Sequence, residues 1–165
     1  MGQPIDYDDP AVDEEWCTAA RAEVTSYLAG EGVDHGQVGQ RPAWHVAPVV
    51  SVWAIESRAR PGCVGWWVIY GDLPTDYVSG AEIDHPREAM RSIGQRWHEH
   101  STAKNSGVTV TGTHYGDSPL SDELAALLQS RARTLFNWAD DDKFWSEDQS
   151  RYDPPLQPDG PSPRR

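Results

Sequence analysis

Two adjacent tryptophans, Trp66 and Trp67, stand inside Gly65-Trp-Trp-Val-Ile-Tyr-Gly71, an apolar run of strand length bounded by glycines. Successive side chains of a strand point to opposite faces, so the pair sets an indole on each side of one sheet. An indole joins a broad apolar body to one N–H donor that needs a partner when buried. Such a chain must cover one face of its sheet fully and give the second indole a groove, a partner or another cover. The chain carries eight tryptophans in 165 residues, so the same demand recurs elsewhere in its core.

The surrounding pattern supplies the covering elements. Asp9-Pro10 starts a helix, and Val12, Trp16, Ala20, Val24, Tyr27 and Leu28 follow at helical spacing before Gly30 and Gly32, which predicts a helix over 10–29. Pro48 would break a strand ladder, so the next strand is expected at 49–56, followed by a second at 63–70. Gly71 to Asp76 reads as a turn and Tyr77-Val-Ser79 as a short third strand, giving an antiparallel meander. Asp84-His85-Pro86 opens a second helix with Met90, Ile93 and Trp97 on its buried stripe. Val108-Thr-Val-Thr111 is an optional edge strand, and Ser118-Pro119 caps a third helix that ends near Asp140. Trp16, Trp97 and Trp138 fall on apolar stripes and are expected in the core. The expected fold is therefore α+β: three helices packed on a small antiparallel β-meander, in the order α-β-β-β-α-(β)-α.

Residues 1–8 read as a flexible leader and 9–146 as a single α+β domain. Residues 147–165 read as a disordered tail, because Ser146 to Arg165 holds five of the thirteen prolines and almost no aliphatic side chains. No basic region followed by an apolar run opens the chain, and no apolar stretch nears the roughly 20 residues that span a bilayer. Cys17 and Cys63 are expected as free thiols of a cytoplasmic protein with no membrane contact.

The formal net charge of −12 argues against sequence-independent nucleic-acid binding, which rests on phosphate neutralisation. It permits either ordinary solubility or association with a basic protein partner reached by electrostatic steering. Acidic runs at both ends supply candidates: Asp13, Glu14 and Glu15 on the first helix, and Asp140, Asp141 and Asp142 at the end of the third. Should those helices lie side by side, the runs would merge into one patch; solvated helix ends account for the same residues.

Aromatic and polar side chains mark a second candidate surface. Trp66, Trp67 and Tyr70 come from one strand, Asp72, Thr75, Asp76 and Tyr77 from the turn beyond it, and His45 from the segment before the meander. Exposed aromatics anchor partners, and paired carboxylates serve acid–base work when one is desolvated. Turn chemistry alone explains Asp, Pro and Thr in such a stretch equally well.

No metal site follows from histidine spacing. His98 and His100 lie two apart, roughly 200° around a helix, whereas one ion is gripped from positions three or four apart. His45, His85 and His114 show no ligand spacing. No nucleophile elbow, phosphate loop, dinucleotide fingerprint or zincin motif occurs, so the balance lies against an enzyme. No catalytic residue, metal ligand or cofactor is assigned.

The order Trp16-Cys17, Arg41-Pro-Ala-Trp-His-Val-Ala-Pro48, Val52-Trp-Ala-Ile-Glu-Ser57, Gly65-Trp-Trp-Val-Ile-Tyr-Gly-Asp-Leu-Pro-Thr-Asp-Tyr77 and His85-Pro-Arg-Glu-Ala89 resembles a family of small bacterial proteins grouped as a domain of unknown function. The resemblance covers about residues 10–146. It implies a compact bacterial cytoplasmic domain and brings no catalytic residues with it. The leading functional expectation is a non-catalytic binding protein, an acidic inhibitor of the immunity or antitoxin type. One competitor is a small enzyme or ligand-binding domain with Asp72, Asp76, His45 and Trp67 around a pocket near the Gly71–Tyr77 turn. Another is a homodimer that buries the second indole.

Overall fold

In a computed structural model, which describes residues 2–106 and 122–145, helix α1 runs over Pro10–Glu31. Asp9 caps it by accepting from the Ala11 N–H at 2.8 Å, and the proline at its first position removes a donor that would have had no partner. The helix passes through Gly30 and stops at Gly32, which takes the left-handed conformation (φ 68°) that other residues resist. Cys17, Ala20, Val24 and Leu28 recur every three or four residues and are all buried. The three nearest its start are small, which lets the helix axis lie close to the surface it covers.

The meander has four strands in sequential antiparallel order: β1 (Trp44–Val46), β2 (Val50–Glu56), β3 (Val64–Gly71) and β4 (Leu73–Ser79). Two of its features depart from the sequence reading. A short β1 precedes Pro48, which lies in the connection to β2 after a cis peptide bond. The presumed turn is mostly strand, since β4 begins at Leu73 and Asp72 alone stands between β3 and β4. Pro74 is tolerated there because β4 is an edge strand, where a missing N–H breaks no ladder. Gly71 makes the tight reversal possible. A Cβ on it would lie 2.3 Å from the Val49 carbonyl oxygen and 2.8 Å from the Val50 Cα, both backbone atoms.

The register explains the tryptophan pair. Trp53 faces Val68 and Val68 faces Tyr77; on the opposite surface Ala54 faces Trp67 and Trp67 faces Val78. Trp53, Ile55 and Val68 join Ala20, Val24 and Leu28 of α1 in one core, with Trp16, Tyr27, Trp66, Tyr70 and Tyr77 packed around it. Trp53 donates its indole N–H to Ser51 Oγ at 2.8 Å, and Ser51 donates onward to the Tyr70 carbonyl at 2.9 Å. The opposite surface is closed as well: Val50, Val52, Trp67 and Ile69 have no exposed area. Trp67 satisfies its N–H on the Ile83 carbonyl at 2.9 Å.

The described residues divide into two compact units, one up to Pro86 and one over residues 87–106 and 122–145. In the second, α2 (Pro86–Ser106) and α3 (Asp122–Asp140) are followed by a 3₁₀ turn, Asp142–Phe144. Gly94 is a contact point between the helices, since a Cβ there would meet Phe136 at 3.2 Å and Leu135 at 3.3 Å. The buried stripe of α3 is Ala125, Leu128, Ala132, Leu135 and Ala139, three of the five being alanines. Trp97 is fully buried as expected, but Trp16 and Trp138 are only half-buried. The α+β class and the order of helices around the meander are as the sequence predicts. The optional strand 108–111, the start of α3 at 118–119 and the tail 147–165 lie outside the described residues.

Candidate functional site

The α1 face of the sheet carries the most concentrated side-chain chemistry among the described residues. Its centre is His45 on β1, which pairs with Ser51 and so projects to the same side as Trp53. His45 stacks on Trp16 with ring centroids 6.3 Å apart and planes 13° from parallel. Its Nε2–H donates to Asp13 Oδ1 at 2.8 Å. Trp16 also meets Tyr70 of β3 at 6.4 Å. Arg41 pairs with Glu14 and lies 3.6 Å from the second oxygen of Asp13. The segment carrying Arg41 is tied down by Arg21 of α1, which donates to the carbonyls of Val38 (2.9 Å) and Gly39 (3.0 Å).

Cys17 lies beneath this cluster, one helical turn after Asp13 and 2% exposed. Burial pushes its thiol up to about 11, with the Asp13 charge adding to the effect and Arg41 opposing it. At neutral pH this favours the protonated thiol. Asp13, Cys17 and His45 nonetheless present three donor atoms within 4.8 Å of one another. Further along the face, Tyr27 meets Tyr77 edge-on at 6.0 Å and Trp66 meets Tyr77 at 5.5 Å. Burial also raises the Tyr70 hydroxyl above its usual range, with help from Glu23.

Sequence-predicted residues divide between the two faces. His45, Trp66, Tyr70 and Tyr77 share the α1 face with Asp13 and Glu14. Glu15 is exposed on the same helix. Trp67 is buried on the opposite face with Asp76, whose carboxylate accepts from the Tyr77 N–H at 2.8 Å. Thr75 is half-buried on β4 and Asp72 is exposed at the reversal. A pocket built from Asp72, Asp76, His45 and Trp67 is therefore not formed, because His45 and Trp67 project from opposite sides.

Asp140, Asp141 and Asp142 belong to the second unit and are engaged there. Arg91 reaches Asp140 at 3.2 Å, Arg87 reaches Asp142 at 2.6 Å and Lys143 reaches Asp141 at 3.3 Å. Arg87 also donates to the Ala139 carbonyl at 2.6 Å, so cations meet the negative end of α3 and let it finish among carboxylates.

Sequence reasoning passed over Trp16, Cys17 and Arg41 as site residues. Asp13 and Cys17 do stand four apart on a predicted helix, a spacing that aligns two side chains, but no spacing links them to His45. No helix among the described residues is long and apolar enough to cross a membrane. No curated protein and no solved structure matches the chain. A family model does match it over residues 11–145, and the chain belongs to that family, described as a domain of unknown function (DUF4826).

Proposed function

We propose that this protein is a non-catalytic binding domain of the cytoplasm, an acidic inhibitor of the immunity or antitoxin type that masks a basic surface on a partner protein. The observation that carries this reading is one face on which Trp16, Tyr27, Trp66, Tyr70 and Tyr77 are half-buried beside the carboxylates of α1. Large aromatics held by a rigid scaffold lose little entropy on binding and serve as anchors. Exposed carboxylates at Asp6, Asp8, Asp9, Glu14, Glu15 and Glu23 lie on α1 and the segment before it. Together with the net charge of −12 they favour a cationic partner and speed its approach. Two unpaired cysteines, one of them exposed, suit a reducing compartment.

The test starts from capture by the untruncated chain in an extract of its native cells, followed by calorimetry with the purified partner at low and high salt. The reading predicts a stoichiometric complex that weakens with salt and loses at least about tenfold in affinity on Trp16→Ala or Tyr70→Ala. Absence of a stoichiometric partner at either salt, or a complex indifferent to both substitutions, would overturn it.

A further inference from the structure

We propose that Asp13, Cys17 and His45 form a binding site for one divalent, borderline-soft transition ion of the zinc class. The three donors are a carboxylate oxygen, a sulfur and an imidazole nitrogen, each an established zinc ligand type, and they lie within 4.8 Å of one another. Zinc bonds of about 2.0–2.3 Å need neighbouring donors roughly 3.3–3.8 Å apart in a tetrahedron. The Asp13–His45 contact of 2.8 Å has only to open slightly, and Cys17 to draw in, for the set to close around an ion. Sulfur in the set disfavours magnesium and calcium, which take oxygen donors.

The supports of the donors are those expected around an ion. Asp13 and Cys17 occupy successive turns of α1, whose apolar stripe fixes the helix on the sheet. His45 is oriented by its stack on Trp16, and the second oxygen of Asp13 faces Arg41. Asp13 and His45 are half-exposed, so an ion can enter from solvent and hold water in a fourth position. On binding, the Cys17 sulfur loses its proton to solvent. The His45 proton moves to Nδ1, so that Nε2 offers its lone pair in place of the hydrogen bond to Asp13. One divalent cation then replaces one proton, and the thiolate and the Asp13 carboxylate balance its charge.

The experiment titrates the untagged, metal-stripped full chain with ZnCl2 by calorimetry and with CoCl2 by absorption. Expected are one ion per chain, a thiolate-to-cobalt charge-transfer band and tetrahedral visible bands. His45→Gln and Cys17→Ser should each weaken zinc by at least about tenfold, with Cys63→Ser unchanged. Circular dichroism verifies that each variant folds, and the cobalt spectrum of the unsubstituted chain needs no variant. Failure to bind one zinc, a cobalt spectrum without the thiolate band, or binding that survives His45→Gln would overturn the proposal.

Discussion

Replacing Gly71 with alanine tests whether the Gly-Asp-Leu-Pro stretch is a structural device. Gly71 has φ 156°, and a Cβ on it would lie 2.3 Å from Val49 O, 2.7 Å from Val49 C and 2.8 Å from Val50 Cα. All three are backbone atoms at the start of β2, so no side chain can swing aside. Relief requires the β3–β4 reversal to move off that strand, which breaks the bond from the Asp72 N–H to the Val49 carbonyl at 2.9 Å. Backbone strain of about 1–3 kcal/mol and a lost hydrogen bond of about 1 kcal/mol give a destabilisation of about 2–4 kcal/mol. For a chain of this size that lowers the thermal midpoint by roughly 5–15 °C. Gly30→Ala is the matched control. Gly30 lies inside α1, and an added Cβ there meets nothing within 4 Å. Alanine should stabilise the helix by about 0.5–1 kcal/mol. Thermal unfolding followed by circular dichroism at 222 nm reads both, the wavelength being that of the helix band. A Gly71→Ala midpoint within about one degree of the parent, or a Gly30→Ala midpoint below it, would refute the steric reasoning.

Three further outcomes follow from the packing. Trp67→Ala should cost about 3–5 kcal/mol in urea unfolding, because it empties a fully buried site and leaves the Ile83 carbonyl without its donor; half-buried Trp66→Ala should cost clearly less. The Cys17 thiol is raised from 9.0 to about 11, so the unfolded chain loses this proton first as pH climbs. The associated stability is complete below pH 9 and lost towards pH 11, a decline of about 2–3 kcal/mol that urea midpoints should show and Cys17→Ala should remove. Arg87→Ala should destabilise the second unit by about 1 kcal/mol, read in the same way, since it strips Asp142 of its cation and leaves the Ala139 carbonyl only the longer bond from Arg91 at 3.3 Å.

The elements with local punctuation were legible in the sequence. Asp9-Pro10 marks the start of α1 and Gly30 with Gly32 its end, two residues beyond the expected 29, and the apolar runs expected as strands at 49–56 and 63–70 are strands at 50–56 and 64–71. Strand β1 was hidden because it has three residues and stops just before a proline. The first half of β4 was hidden because Leu73-Pro-Thr-Asp76 has the composition of a turn, and only an edge position lets it pair. Alternation places Trp66 and Trp67 on opposite faces but carries no information about which is deeper; that depends on what each face meets. The site divides in the same way. Asp13 and Cys17 share a helix face by spacing, while His45 reaches them only through the β1–β2 register. The Asp140–Asp142 run looked like an open patch because its cations, Arg87 and Arg91, come from another helix.

Amide hydrogen exchange of the full chain, alone and in complex with its captured partner, tests the binding face most directly. Added protection over the first half of α1 and over β3 and β4, where Trp16, Trp66, Tyr70 and Tyr77 reside, is the expected result. Protection confined to the α2–α3 unit, with α1 and the meander unchanged, would contradict the assignment.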